Sequence, residues 1–279
     1  MTRMTSPRSV SMRVSASRGA RRAGLALVFG AATLAAAGSV VATPEAGAGH
    51  VVLVELFTSQ GCSSCPPADR LLSAIAGEDG SRVVPLAFHV DFWNSQGWTD
   101  PFSSREWTLR QVAYEKRLGL DQVYTPQAVV DGATQMVGSD AAQLRAAIQT
   151  AAAQPGAKLA ISTKPSGSKV EVGVDVDLPE TVRSQKLDVW VVVFETGLST
   201  PVGRGENGGK TLQNDYVVRV LDRAGRTSKD GPAQSHYATS LRLAKEWNAS
   251  RLGVAAFLQD PGSLAVRGSA ARPLVAPGS

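Results

Sequence analysis

The sequence predicts an α/β fold: an α/β domain over residues 49–154, followed by a smaller, mostly β, sandwich-like domain over 155–279. Three observations predict it. An apolar strand, a Cys-x-x-Cys loop, a helix and a second strand follow one another between residues 51 and 90. A hairpin pattern and a further amphipathic helix then complete that half. After "QPGA" at 154–157 the helical periodicity stops, and apolar and polar residues alternate as in half-buried antiparallel strands.

The elements follow in order. "HVVLVELFTS" reads as a buried strand. "PPADRLLSAIAG" reads as a helix: Pro66 and Pro67 suit a first turn, Ala68, Leu71, Leu72 and Ile75 make its apolar face, and Gly77 ends it. "RVVPLAFHV" is a second strand, and the short spacings predict a βαβ unit with parallel strands. The aromatic-rich loop "DFWNSQGWTDPF" follows. Ser103 and Glu106 form a capping-box pattern for a helix that runs to Leu118 and stops at Gly119. "VYTPQAVVDGATQMVG" is a hairpin turning at Asp131–Gly132, and "SDAAQLRAAIQTAAA" is a third helix with Ala141, Leu144, Ile148 and Ala151 on one face. Beyond 155, "KLAISTKPSGSKVEVGVDVDLP", "LDVWVVVFETG" and "RLGVAAFLQD" read as strands, and Thr239–Trp247 as one helix.

The formal net charge of +5 is a property of the leader. Residues 1–44 hold Arg3, Arg8, Arg13, Arg18, Arg21 and Arg22 and no acid; the remainder has 23 basic and 24 acidic residues, a net charge of −1. The body therefore offers no electrostatic case for nucleic acid. An Arg-rich segment, the apolar run Ala23–Ala37 and then small residues match a secretory signal peptide over residues 1–48, with cleavage after Ala42 or Ala48. Arg21–Arg22 leaves open a twin-arginine route, and the Ala- and Gly-rich stretch Ala23–Ala42 is long enough to serve as an anchor instead. Removal predicts a periplasmic or secreted protein with no membrane contact afterwards, in a compartment where disulfides persist.

Cys62 and Cys65 are the only cysteines. A strand, C-x-x-C, helix and strand in that order is the thioredoxin-like arrangement. A cysteine at a helix N-terminus is favoured as thiolate, the attacking species of disulfide exchange. Cys62, the first cysteine, is expected at the helix N-terminus as the exposed nucleophile, and Cys65 as the more buried resolver. Thr125–Pro126 lies just before a strand, where a cis-proline in such folds faces the cysteine pair and presents a backbone edge to substrate. Glu55, in the first strand, is the candidate proton acceptor for the resolving cysteine. Asp69 reads only as a helix-dipole residue. Phe92, Trp93, Trp98 and Phe102 read either as a groove for a peptide-like partner, with Thr125, Trp93 and Trp98 touching substrate, or as the loop's own mini-core.

Two other readings of the pair stand beside this one. A structural bridge across two intervening residues contributes only about 2 kcal/mol. A zinc or copper site needs more ligands than two thiolates, and His89, at the end of the second strand with Asp91 nearby, is the candidate third. In that reading the protein is a non-enzymatic cell-envelope binding module. "GRGENGGKT" lacks the phosphate-loop spacing and reads as a mobile loop, with Arg204, Glu206 and Asn207 as unassigned polar residues.

"VELFTSQGCSSCPPAD", "HVDFWNSQGWTDPFSS", "VYTPQAVVDG" and "RGENGGKT" together resemble a bacterial family of secreted thioredoxin-like proteins of unassigned function. The resemblance spans residues 50–268. It implies a thioredoxin-like N-terminal domain with Cys62 and Cys65 as the redox pair and Pro126 as the proline, and it carries no demonstrated activity. Gly61 stands where thioredoxins have Trp, and Ser63–Ser64 replaces Gly-Pro, so the redox direction stays open. The resulting expectation is a thiol–disulfide oxidoreductase acting on protein or small thiols of the cell envelope without a cofactor.

Overall fold

The computed structural model describes residues 50–78 and 82–274. The predicted signal peptide lies outside the described residues. The strands are β1 (Val52–Thr58), β2 (Val83–His89), β3 (Gln127–Val130), β4 (Thr134–Val137), β5 (Lys158–Ser166), β6 (Lys169–Asp177), β7 (Asp188–Glu195), β8 (Leu198–Pro201), β9 (Thr211–Asn214), β10 (Val217–Arg226), β11 (Gln234–Arg242), β12 (Leu252–Gln259) and β13 (Val266–Pro273). The long helices are α1 (Pro66–Glu78), α2 (Arg105–Leu118) and α3 (Ala141–Ala152). The result is a mixed α/β fold built on one large mixed sheet.

That sheet has eight strands in the order β13-β12-β7-β10-β2-β1-β3-β4. β1 and β2 pair in parallel, as the βαβ reading requires, and β3 returns antiparallel to β1. β3 and β4 form the predicted hairpin, with Asp131 and Gly132 both at positive φ. Val52, Val54 and Leu56 of β1 face α1 and α3, while Leu53 and Phe57 face the other way, towards Trp107 and Tyr114 of α2. Helix α2 starts one residue later than predicted. Ser104 is its cap and accepts from the Glu106 N–H at 3.1 Å, whereas Ser103 Oγ donates to the Asp100 carbonyl. Gly119, at φ 66°, ends it as expected.

The boundary near residue 155 does not separate two cores. β7, β10, β12 and β13 extend the same sheet, and Val192, Phe194, Val218, Ala255 and Phe257 share one apolar cluster with Leu53, Phe57, Val84 and Phe88. The opposite faces of β7 and β12 pack on the three-stranded sheet β11-β6-β5 through Val172, Val174 and Val176, which supplies the predicted sandwich layer. This is why "VWVVVF" is apolar throughout: β7 is covered on both faces. The described residues accordingly form one compact unit. The helix predicted over Thr239–Trp247 is absent. Residues 234–242 pair with β6 along their whole length and turn Tyr237 and Leu241 inward at the period of a strand.

Candidate functional site

Cys62 and Cys65 form a disulfide with Cα atoms 5.5 Å apart, both fully buried. β1 delivers the chain into the Cys loop, and α1 begins directly after it. The Cys65 carbonyl accepts from the N–H groups of Ala68 (2.8 Å) and Asp69 (3.1 Å), so it is Cys65 and not Cys62 that sits at the helix N-terminus, and Cys62 is as buried as its partner rather than exposed as the sequence predicts. Cys62 Sγ lies 3.3 Å from Ser64 Oγ.

The Thr125–Pro126 peptide is cis. Pro126 is buried beside the first turn of α1: a Cβ on Gly138 would meet both Ala68 Cβ and Pro126 Cβ at 3.3 Å, and Leu56 closer still. Only glycine lets β4 pass between them. Thr125 Oγ1 accepts from Trp93 Nε1 at 2.8 Å. Trp93 also explains the residue before the cysteines. A Cβ on Gly61 would stand 3.0 Å from Trp93 Cβ, so this tryptophan occupies the space that a side chain at position 61 would need. Trp98 Nε1 donates to Gln60 Oε1 at 3.2 Å. Thr125, Trp93 and Trp98 are each half-buried, with Trp93 bonded to Thr125 and Trp98 to Gln60 of the Cys loop.

Glu55 is not part of this group. Its carboxylate points to the α2 face, where Arg110 Nε donates at 2.5 Å and Tyr114 Oη also donates. Arg110 is in turn seated against the rings of Phe88, Tyr114 and Phe257. The period of two along β1 decides this: residue 55 faces with Leu53 and Phe57, away from α1.

The first acid of α1 is Asp69, four residues after Cys65, and its N–H donates to the Cys65 carbonyl at 3.1 Å. It keeps a partial opening to solvent but is densely walled by protein, and Thr58 Oγ1 donates to it at 2.8 Å. Burial pushes its carboxyl up to about 6, with His89 and the Thr58 hydroxyl partly offsetting that push. His89, paired with Thr58 in the β1–β2 register, is fully buried, and its Nδ1 lies 2.7 Å from Asp100 Oδ2. Burial lowers the imidazole, but the Asp100 carboxylate outweighs it and the net shift is upward. Its Nε2 has no hydrogen-bond partner among the described residues. Asp100 in turn accepts from the Gln60 N–H at 2.7 Å, tying this dyad to the Cys loop. Among the described residues no group of three or more His, Cys, Asp or Glu side chains could hold a metal ion. His89 is committed to Asp100, and Asp91 accepts from Thr108 Oγ1 at 2.6 Å.

"RGENGGKT" is not a loose loop. Asn207 is fully buried, and its Nδ2 donates to the carbonyls of Gln60 and Cys62, both at 3.0 Å. Glu206 Oε2 accepts from the Ser63 N–H at 2.9 Å, which holds its carboxyl below the usual range. No local signal in the sequence announces these contacts, which join residues more than 140 positions apart. Asp69 does carry one, its i, i+4 spacing from Cys65.

Residues 53–259 match the sequence profile of DUF1223, described as protein of unknown function. The crystal structure of protein AGR_C_4864 from Agrobacterium tumefaciens is similar over 83% of this chain and 97% of its own, with 28% identity and a TM-score of 0.65. HBP35 of Porphyromonas gingivalis is similar over 81% of this chain and 76% of its own, with 12% identity and a TM-score of 0.59, a likeness of fold alone. No curated protein matches the chain. Among the described residues no helix is long and apolar enough to cross a membrane.

Proposed function

The chain belongs to the DUF1223 family of proteins of unknown function, and we propose that it is an exported thiol–disulfide oxidoreductase acting on protein thiols or disulfides of the cell envelope. The observation that carries this is a disulfide at the N-terminus of α1 with a half-buried acid, Asp69, one turn further along the helix. The sheet order β2-β1-β3-β4, with Pro126 opening β3 beside α1, supports a thioredoxin-like core. The signal-like composition of residues 1–48 supports export to the periplasm or beyond.

In the direction that reduces a partner, Cys62 thiolate attacks a partner disulfide and releases one partner sulfur. Cys65 then loses its proton and attacks Cys62 Sγ, releasing the second partner sulfur and closing the Cys62–Cys65 bond. Asp69 takes the place assigned to Glu55: a carboxyl held near 6 can accept the Cys65 proton at neutral pH and return it in the reverse direction. Thr125 and Pro126 border the approach to Cys62.

The test is a redox titration of residues 49–279 in glutathione buffers, read by thiol alkylation and mass. A midpoint between about −120 and −270 mV supports exchange, and Cys62→Ser then abolishes exchange with the fold intact. A pair still oxidised below about −300 mV refutes the reading and makes the bridge structural.

A further inference from the structure

The 202–210 loop does something that the proposed chemistry does not use. It tips the hairpin β8–β9, a two-stranded ribbon that joins neither large sheet. It is closed on itself by backbone hydrogen bonds from Val202 to Lys210, Gly208 to Gly205 and Gly209 to Val202, all between 2.8 and 3.0 Å. Lys210 Nζ donates to Asn207 Oδ1 at 3.0 Å and orients the amide. Gly205 comes so near Trp98 that an added Cβ would lie 3.2 Å from Trp98 Cβ. This preformed tip lies over the Cys loop, and Cys62 beneath it is fully buried. An exchange reaction needs in-line access to the sulfur of Cys62, so the oxidised protein has its reactive bond under a cover.

The bonds that hold the cover have a particular pattern. Asn207 offers a carboxamide N–H pair to the carbonyls of Gln60 and Cys62, and Glu206 offers an acceptor oxygen to the Ser63 N–H. An extended polypeptide offers the same groups, amide N–H donors beside carbonyl acceptors. A small thiol can displace none of these bonds without leaving the buried carbonyls unpaired, whereas a peptide backbone can replace them one for one. We propose that the 202–210 loop is a lid latched on the Cys62–Cys65 disulfide by Asn207 and Glu206, and that these two residues select extended polypeptide thiols over small-molecule thiols. This rests on the oxidoreductase reading above.

The gated step balances as follows. A partner cysteine thiolate attacks Cys62 Sγ, the Cys62–Cys65 bond breaks, and Cys65 leaves as thiolate and takes up a proton. A second partner thiol then loses its proton and attacks its own sulfur in the mixed disulfide. The partner is oxidised to a disulfide, and Cys62 is released reduced and takes up the second proton.

The experiment compares wild type, Asn207→Ala and Glu206→Gln of residues 49–279 in the oxidised form. Each is reduced by a water-soluble phosphine, by 2-mercaptoethanol and by an unstructured ten-residue peptide dithiol. The phosphine reports access alone, since it and one water convert the disulfide to two thiols and a phosphine oxide. Asn207→Ala is expected to speed phosphine and 2-mercaptoethanol reduction at least tenfold while changing the peptide rate less than threefold. Glu206→Gln, on an exposed side chain that does not endanger folding, is expected to speed the same two reagents two- to fivefold. Unchanged phosphine rates in both variants would overturn the lid while a normal midpoint left the oxidoreductase reading standing. Phosphine rates that rise in a protein neither thiol ever reduces would overturn both the peptide selectivity and the oxidoreductase reading.

Discussion

Replacing Asp69 with asparagine should stabilise the protein at pH 8 and impair it as a redox catalyst. The carboxyl is raised from its ordinary 3.8 to about 6, chiefly by burial, so the folded protein prefers the neutral form. Below pH 4 the group is protonated in folded and unfolded chains alike and costs nothing. The cost grows as pH rises from 4 to 6 and is complete above 6. At about 1.36 kcal/mol per pKa unit the shift is worth roughly 3 kcal/mol, and about 2 kcal/mol once its partial access to water is discounted. The carboxamide of Asp69→Asn would still accept the Thr58 hydroxyl hydrogen bond without carrying charge. Thermal unfolding at pH 8 should therefore move up by about 4–8 °C, and the two proteins should melt together near pH 4. The same variant has no group to take the Cys65 proton, so dithiol oxidation at neutral pH should slow about tenfold or more. A variant that melts at the wild-type temperature at both pH values, or that is destabilised at pH 8, would refute the claim that Asp69 is held against its preferred charge state.

Glu55→Gln leaves Arg110 a buried cation without its counter-ion, so it should cost about 3–5 kcal/mol in urea unfolding while the midpoint potential of the disulfide stays where it was. Gly61→Ala should cost about 1–3 kcal/mol, because its new methyl group meets Trp93 Cβ at 3.0 Å; a Gly61→Ala, Trp93→Ala double variant should recover part of that loss, which a double-mutant cycle would measure. Residues 49–154 expressed alone should be unfolded by circular dichroism. Leu53, Phe57, Val84, Leu86 and Phe88 lose Val192, Phe194, Val218, Ala255 and Phe257 from their cluster there, and at about 2 kcal/mol per buried side chain such a loss approaches the whole stability of a typical domain.

The N-terminal half is legible in the sequence because its signals are local. Strand runs, Pro66–Pro67, the Asp131–Gly132 turn and Gly119 each speak for residues within a few positions, and the structure keeps them with shifts of about one residue. β10 is not legible. Its run from Val217 is broken by Arg219, Asp222, Arg223 and Arg226, which reads as surface. All three arginines are answered by the ends of β7: Arg219 by Glu195 at 2.8 Å, and Arg223 and Arg226 by Asp188 at 3.4 and 2.6 Å. Nothing near β10 in sequence reveals those partners. β11 misleads for a different reason. Leu241, Leu243, Ala244 and Trp247 fit a helical stripe, but β6 offers a ladder along the whole strand, and tertiary pairing overrides local period. For Glu55, nearness in sequence points to the cysteines, and the face of the strand overrules it. Asp69 is easily passed over because its helix-start position has an ordinary explanation.

β10 is also what ties the reactive loop to the rest of the chain. It meets β2 through a single registered pair, Val217 with Ala87, and through the Ala87 N–H donating to the Tyr216 carbonyl at 2.8 Å. Immediately before it, Asp215 accepts from Ser73 of α1 at 2.8 Å and from the Gly197 N–H at 2.7 Å, and Asn214 accepts from Gln60 at 2.9 Å. The foot of the β8–β9 hairpin is thus bolted to α1 and to the Cys loop, while its tip rests on Trp98 through Gly205 and is joined to the Cys loop by the Asn207 and Glu206 bonds. A segment fixed at its base and pinned at its tip by a few exchangeable hydrogen bonds can open without disturbing the sheet. The merging of the two halves into one sheet is therefore what gives the disulfide a cover: a separate β domain on a linker could not hold Asn207 within 3.0 Å of two Cys-loop carbonyls.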